Sequence, residues 1–302
     1  AAMSAFAAAG TAAAADVTLY GKADLGLHYT YNKVDGQDAV NSFDMKSGQN
    51  AGSRFGLKGT EDLGNGYKVS FKLESGFNGD TGTMGQGSRL FGREAGLTLS
   101  GPFGSIAFGR FGGISSSCGT YDMLGYVESF DGGDGNVWGF AASDRYDNMV
   151  VYQTPRFAGL QLTAQYSFKT DSKASAKYNS AGDPEYSGDE GTSHAQRYAS
   201  VGLSGEYGPA SFAVGYELTK YGVNEQTATG AGLGRELDKD GQLVFLGGNY
   251  DFEVVQLFVE GQYFKHQTAI AGFGDAFEGA IGDVKGYGLH LGAAAPLGAG
   301  TL

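Results

Sequence analysis

The 302-residue sequence has very little cysteine, histidine and basic charge. Its single cysteine, Cys118, excludes an internal disulfide framework and a zinc site built from cysteines. The four histidines, at positions 28, 194, 266 and 290, are far apart and lack the His-Glu-x-x-His spacing of zinc hydrolases. With 21 Lys and Arg against 33 Asp and Glu, and no basic stripe, the sequence predicts that nucleic acid is not a partner.

The sequence also lacks a long hydrophobic run. No segment approaches the ~18 uninterrupted apolar residues of a membrane-spanning helix, so a membrane-crossing segment would have to be a strand. Residues 1–15 are small and apolar and end in four alanines, at positions 12–15, before Asp16. They are typical of the end of a secretory signal peptide cleaved after Ala15, and a flexible alanine-rich leader is the alternative.

Glycine and aromatic residues are abundant, with 53 Gly, 18 Tyr and 20 Phe beside only 5 Pro. Residues 17–31 alternate, with Val17, Leu19 and Leu25 on one side and Lys22 on the other. Because successive side chains of a strand point to opposite faces, this pattern predicts a strand with one apolar and one polar face. Similar segments recur near 50–62, 67–79, 89–100, 105–112, 147–155, 160–169, 197–206, 210–221, 242–252, 255–266 and 286–295.

The connections between these segments alternate in length. Short turns lie at 62–66, 101–104, 155–159, 207–209, 251–253 and 296–298. Long connections lie near 33–49, 80–88, 111–144, 170–196, 222–241 and 267–285. Short turns at one end and long loops at the other are typical of outer-membrane barrels. The sequence therefore predicts an all-β, transmembrane antiparallel β-barrel with about twelve strands in this chain.

The predicted inner face is polar. Arg54 and Lys58 share one face of a strand whose other face carries Phe55 and Leu57. Buried charges in a soluble barrel would need partners, whereas in a wide barrel they face water. This contrast favours an aqueous lumen and more than twelve strands in the complete barrel, so we expect a C-terminally truncated barrel over residues 16–302.

Several ordered motifs lie between residues 16 and 170. They are Val17–Gly26, Ser53–Gly64, Phe71–Phe77, Arg93–Ala95, Tyr121–Tyr126 and the Thr154-Pro155-x-Phe157-x-Gly159 turn. Together they resemble the Gram-negative general porins of the sixteen-stranded proteobacterial type. The resemblance implies a homotrimer of water-filled barrels in the outer membrane, in contact with lipid and lipopolysaccharide. It also implies that loop 111–144 folds into the lumen as a constriction.

Charge is divided between this loop and the strands. Loop 111–144 carries acids and no Lys or Arg, and its candidate constriction acids are Asp122, Glu128, Asp131 and Asp134. The candidate basic wall consists of Lys22, Arg54, Lys58, Arg93, Arg110 and Arg145. The resemblance places Lys22, Arg54, Arg93 and Arg145 in the basic cluster of the family and Glu128 as a loop carboxylate. Opposed walls would produce a transverse field that orients zwitterions and separates ion paths.

Two members of the basic wall have alternatives. Arg93 shares its alternation with Phe91, Ala95 and Leu97, which are typical of a lipid face, so either a bulge intervenes or the resemblance misplaces it. Arg110 has the alternative of bracing the root of loop 111–144.

The predicted function is passive diffusion of small hydrophilic solutes and ions, without catalysis or a cofactor. The alternatives are a substrate-selective channel for phosphate or an organic acid, and an adhesin-type barrel. No Ser-His constellation supports an enzyme. The Asp-rich segments 131–136 and 238–241 resemble calcium loops but lack the EF-hand glutamate and flanking helices, so turn chemistry explains them better.

Overall fold

Antiparallel strands make up nearly all the regular structure. The computed structural model describes residues 16–33, 36, 38–48, 51–126, 141–173, 190–193, 195–221, 239–267, 284–297 and 300–301. The strands are β1 (Asp16–Lys22), β2 (Leu25–Asn32), β3 (Val40–Ser47), β4 (Arg54–Gly64), β5 (Tyr67–Gly76), β6 (Glu94–Gly101), β7 (Gly104–Gly112), β8 (Arg145–Gln153), β9 (Leu160–Ser167), β10 (Arg197–Tyr207), β11 (Ala210–Lys220), β12 (Gly241–Asp251), β13 (Gln256–Gln267), β14 (Val284–Ala294), β15 (Pro296–Leu297) and β16 (Gly300–Thr301). A short helix, α1 (Gly85–Ser88), and a 3₁₀ turn at Leu124–Tyr126 complete the described elements. No helix within these ranges is long and apolar enough to cross a membrane.

Twelve of these strands form one sheet in the order β1-β4-β5-β6-β7-β8-β9-β10-β11-β12-β13-β14. Each neighbour in this order is antiparallel, so after β4 the chain runs as a simple meander. β2 pairs with β3, and β15 pairs with β16, in two separate hairpins. The predicted antiparallel all-β class and the number of main strands are confirmed.

The first predicted strand is interrupted. β1 ends at Lys22 and β2 begins at Leu25, because the backbone between them bonds to the chain before β4 instead of continuing the ladder. The Asp24 N–H donates to Ser53 Oγ at 2.9 Å, and Asp24 Oδ2 accepts from the Ala51 N–H at 2.9 Å. The long connection predicted near 33–49 is also shorter, since it contains β3.

The sheet has one apolar face. Its other face is mostly polar, and loop 111–144 packs on part of it. Across β11 to β14, cross-strand partners Tyr216, Val244, Tyr263 and Tyr287 form one exposed row. We call their side of the sheet the outer face. The opposite, inner face carries Phe245, which is 0% exposed. An apolar side directed outward suits contact with lipid, as the alternation predicted.

Loop 111–144 begins and ends on the inner face. Ile114, Met123 and Leu124 pack with Ala213 and Phe245 into a buried cluster. The loop fits there because Gly202 and Gly215, direct cross-strand partners, leave the wall without side chains. A Cβ at Gly215 would lie 2.9 Å from Ile114 Cδ1 and closer still to the Phe245 ring. Glycine at this position therefore makes room for the loop.

Replacing Gly215 by Ala tests this packing. We expect Gly215→Ala to lower the free energy of unfolding by about 1–3 kcal/mol, because the added methyl group overfills a close-packed site. The measurement is the heat-denaturation midpoint of the full-length protein in detergent. Gly261→Ala is the matched control, since its Cβ would meet only the Leu246 carbonyl oxygen, at 4.0 Å. Equal midpoints for the two variants would contradict the packing argument.

Candidate functional site

Both ends of the loop are tied to one carboxylate on the inner face. Glu217 Oε1 accepts hydrogen bonds from the Ser115 N–H at 3.0 Å, Ser143 Oγ at 3.2 Å and Tyr198 OH at 2.8 Å. Glu217 is 4% exposed, so these bonds form away from water. Buried hydrogen bonds to an acidic acceptor are among the stronger polar contacts in proteins. Glu217 thus fastens the start and the end of the loop together.

Further contacts spread the loop over the neighbouring strands. The Gln262 side chain on β13 accepts from the Ala141 N–H at 2.8 Å and donates to the Ala141 carbonyl at 2.7 Å. Asn249 Nδ2 on β12 donates to the Tyr126 carbonyl at 2.8 Å. The described parts of loop 111–144 therefore lie along the inner face.

Three predicted basic residues lie together at the other end of the sheet. Lys22 on β1 is the direct cross-strand partner of Arg54 on β4, and Lys58 is the partner of Lys72 on β5. Lys58 Nζ lies 5.5 Å from the centre of the Tyr20 ring. Lys58 and Lys72 line a hollow of about 540 Å³ on the inner face. Within the described residues, Lys22, Arg54 and Lys58 form no ion pair.

Arg93 also turns to the inner face. β6 begins one residue later, at Glu94, so the alternation of that strand does not fix the direction of Arg93. Arg93 Nε donates to Glu74 Oε1 at 2.6 Å, and Tyr20 OH donates to Glu74 Oε2 at 2.9 Å. The alternation of residues 91–97 predicted that Arg93 faces lipid, whereas the resemblance predicted that it faces the lumen. Because β6 begins only at Glu94, Arg93 is free of that alternation and contacts Glu74 on the inner face.

Arg110 lies at a β-bulge in the wall. The register between β7 and β8 shifts between Gly109 and Phe111, and Gly109 has a φ of 142°. Arg110 Nε donates to the Gly92 carbonyl at 2.8 Å, and Nη1 donates to Asp147 Oδ1 at 2.5 Å. These contacts pair Arg110 with neighbouring residues of the wall, so its charge is compensated.

Arg145 borders the larger hollow of the inner face. This cavity of about 740 Å³ is also lined by Arg89, Arg110, Asp144 and Asp171. Arg145 Nε has no hydrogen-bond partner among the described residues. The cavity therefore brings Arg110 and Arg145 together, apart from the group formed by Lys22, Arg54 and Lys58.

Of the predicted loop acids, only Asp122 lies within the described residues. Glu128, Asp131 and Asp134 lie outside them. Burial raises the pKa of Asp122 from 3.8 to about 7, although nearby backbone N–H groups oppose the rise. The calcium-like segment 131–136 and Asp238 also lie outside the described residues, while Asp240 pairs with Lys220 at 3.4 Å.

Acids that were not among the predicted site residues neutralise part of the basic wall. Lys72 Nζ donates to Glu94 Oε2 at 2.7 Å, beside the pairing of Arg93 with Glu74. Asp147 pairs with Arg110 and also accepts from Arg89 Nη2 at 3.0 Å. Glu74 lies two residues after Lys72 and so shares its face of the strand. This alternation could have identified Glu74 as an inner-face acid. The wall is therefore a mixture of paired and unpaired cations.

An antiparallel sheet with an apolar outer face, charges on its inner face and a loop fastened to that inner face is the architecture of a membrane-barrel channel. The family model described as Gram-negative porin matches residues 1–302. The chain belongs to the Gram-negative porin family.

Known proteins similar to the chain agree with this assignment. An outer membrane porin protein of Bordetella pertussis is 38% identical over 257 residues, covering 80% of the chain and 62% of the relative. Outer membrane porin protein 32 of Delftia acidovorans is 30% identical over 98% of the chain and 75% of its own length. The solved structure of an anion-selective porin from Comamonas acidovorans superposes with a TM-score of 0.63 at 28% identity, covering 94% of the chain and 75% of that structure.

Removing the Glu217 acceptor tests the loop anchor. Glu217→Leu removes the acceptor of the Tyr198 hydroxyl and leaves the Ser115 N–H only its longer bond to Ser143 Oγ, at 3.3 Å. A buried unsatisfied group costs about 1–3 kcal/mol. We expect faster proteolytic cleavage within loop 111–144 of the folded protein and a lower denaturation midpoint. Glu217→Gln keeps a carbonyl acceptor and is expected to retain most of the protection. Cleavage of Glu217→Leu at the wild-type rate would exclude the anchor role.

Proposed function

We propose that the chain forms the wall and constriction of a water-filled outer-membrane channel for passive diffusion of small hydrophilic solutes and ions. The observation that carries the proposal is the fastening of loop 111–144 to the charged inner face of a sheet whose outer face is apolar. Such a loop narrows the path without closing it. Transport of this kind needs no catalysis and no cofactor.

The proposal extends to the assembly and its surroundings. The chain spans 62% of the length of the Bordetella porin and 75% of the Delftia porin, and we propose a complete barrel of sixteen strands. We also propose a homotrimer in the outer membrane of a Gram-negative bacterium. Exposed outer-face residues such as Val244, Tyr263 and Leu289 would contact lipid, lipopolysaccharide or a neighbouring subunit. Apolar bands of this kind are typical of transmembrane barrels.

The two predicted walls would form the constriction. The basic wall is Lys22, Arg54, Lys58, Arg93, Arg110 and Arg145, and the loop acids are Asp122, Glu128, Asp131 and Asp134. Lys22, Arg54 and Lys58 would dominate the field, because Arg93 and Arg110 are compensated by Glu74 and Asp147. A field between low-dielectric walls is stronger than the same charges produce in bulk water.

A second candidate is an anion-selective channel for phosphate or an organic acid. Two observations favour it: the unpaired cations Lys22, Arg54 and Lys58, and the similarity to a structure described as an anion-selective porin. Saturable block of the current by one such anion would distinguish this function from general diffusion.

Reconstitution tests the channel directly. Full-length protein added to a planar bilayer is expected to give stepwise, long-lived conductance increases, because each inserted assembly adds water-filled paths. The heat-denatured protein in the same detergent is the control. The absence of steps from folded protein would refute the channel.

Charge variants test which wall sets ion selectivity. We expect Arg54→Gln with Lys58→Gln to lower the anion-to-cation permeability ratio on the order of twofold, because fixed charge sets local ion concentration. Replacing Glu128, Asp131 and Asp134 by Asn is expected to move the ratio the opposite way. The readout is the reversal potential in a salt gradient.

Lys46→Gln is the control for these variants. Lys46 lies on β3 in the separate β2-β3 hairpin, pairs with Asp44 at 3.3 Å and belongs to neither predicted wall. Reversal potentials that stay at the wild-type value in both wall variants would contradict the proposed constriction.

A further inference from the structure

An apolar hollow lies on the outer face at the short-turn end of β12, β13 and β14. Its volume is about 600 Å³, and none of its described lining residues belongs to the basic wall or to the predicted loop acids. The apolar side chains around it are exposed, and they are Tyr250, Phe252, Leu257, Val259 and Leu291. The channel proposed above gives this hollow no role.

The hollow exists because a glycine lies in a row of large side chains. Gly248 on β12 is the direct cross-strand partner of Phe212 on one side and of Val259 on the other. The Phe212 ring lies over Gly205 and stacks on the Tyr207 ring, with 6.4 Å between the ring centres. The atoms of Phe212 nearest to Gly248 are its Cα and Cβ rather than its ring. The floor of the hollow at Gly248 is therefore open.

One end of the hollow is a turn that presents two carboxylates. Phe252 lines the hollow and lies between Asp251 and Glu253, both of which are exposed. The Asp251 N–H donates to the Pro209 carbonyl at 2.9 Å, and the Glu253 N–H donates to Asp251 Oδ1 at 2.7 Å. These bonds fix the turn, so both acids are held beside the apolar surface.

The charge at this end of β10 to β14 is acidic. The short-turn ends of these strands contain no Lys or Arg, over residues 206–211, 249–257 and 291–297. Arg156, in the turn before β9, is paired with Glu206 at 3.1 Å. The opposite, long-loop ends of the strands carry the bases, at Lys220, Lys265 and Lys285. The short-turn end therefore repels an anionic headgroup and attracts a cationic one.

Lipid suits the hollow better than a second barrel wall. A sheet is rigid and close-packed, so a neighbouring wall would lie across the hollow and leave its lining without contacts. A flexible acyl chain fills the gap over Gly248 and restores those contacts. The Tyr250 and Phe252 rings lie 4.5 Å apart beside the turn, as in the aromatic belts where lipid headgroups begin. Short turns of outer-membrane barrels face the periplasm, so the lipid belongs to the inner leaflet.

We propose that this hollow binds one aminophospholipid of the inner leaflet, with an acyl chain over Gly248 and its ammonium group on the carboxylates of Asp251 and Glu253. A primary ammonium group donates N–H bonds to carboxylates, and bonds between two ionised groups are stronger than neutral ones. The proposal rests on the membrane location of the barrel given under the proposed function, but not on conduction.

The experiment measures which lipid the protein retains. Full-length protein in detergent is mixed with phosphatidylethanolamine or with phosphatidylglycerol of the same acyl chains, and native mass spectrometry counts the bound lipid. Asp251→Asn with Glu253→Gln is expected to lower the ratio of retained phosphatidylethanolamine to phosphatidylglycerol about threefold, the size of effect that exposed charge contacts give. Asp251→Asn keeps a side-chain oxygen for the Glu253 N–H, so the turn stays intact.

Glu61→Gln with Asp62→Asn is the matched control. Asp62 Oδ1 accepts the Gly64 N–H at 2.8 Å in the same kind of turn, but neither acid lines the hollow. The lipid ratio of this control is expected to stay at the wild-type value. A ratio that does not fall in the Asp251 and Glu253 variant, or that falls equally in the control, would overturn the proposal.

Phe252→Ala tests the apolar part of the site. It removes one wall of the hollow and is expected to lower the retention of both lipids by a similar factor. Retention at the wild-type level would also overturn the proposal, and loss of the oligomer in the same spectra would assign the hollow to a second copy of the chain instead. None of these readings needs a current, so an absence of conductance steps would contradict the channel alone.

Discussion

The attachment of loop 111–144 to the inner face is the interaction on which the candidate site depends. One oxygen of Glu217 binds Ser115 near the start of the loop and Ser143 near its end. Fixing both ends of a long loop costs conformational entropy, but that cost rises only slowly with loop length. A few buried contacts at the root can therefore offset it. Without them, the charges carried by the loop would have no fixed position relative to the basic wall.

The net charge of the sequence is a poor guide to the charge of the inner face. The sequence carries a net charge of -12, yet Lys22, Arg54 and Lys58 on the inner face near β1 and β4 form no ion pair within the part of the chain that the structure describes. Glu74 and Glu94 are direct cross-strand partners and bind Arg93 and Lys72. Compensation of this kind keeps the buried parts of the wall rigid, because each pair fixes two long side chains. The electric field of the wall then comes mainly from the cations without an ion pair, Lys22, Arg54 and Lys58.

Local patterns predicted most of the sheet, because strand alternation and short turns are encoded within about ten residues. They did not predict the interruption at Asp24, which depends on contacts with Ala51 and Ser53 in a later segment. The site was predictable only in part for the same reason. The bond from Ser115 to Glu217 joins residues 102 positions apart, and no spacing rule links them. In the sequence, Glu217 looks like an ordinary inner-face acid, and only the folded loop brings Ser115 and Ser143 to it.

Three inner-face residues hold the loop at separate places. Glu217 on β11 binds Ser115 and Ser143, Asn249 on β12 binds the Tyr126 carbonyl, and Gln262 on β13 binds the backbone of Ala141. Because these contacts come from three successive strands, the loss of one of them leaves the other two to hold the loop against the wall.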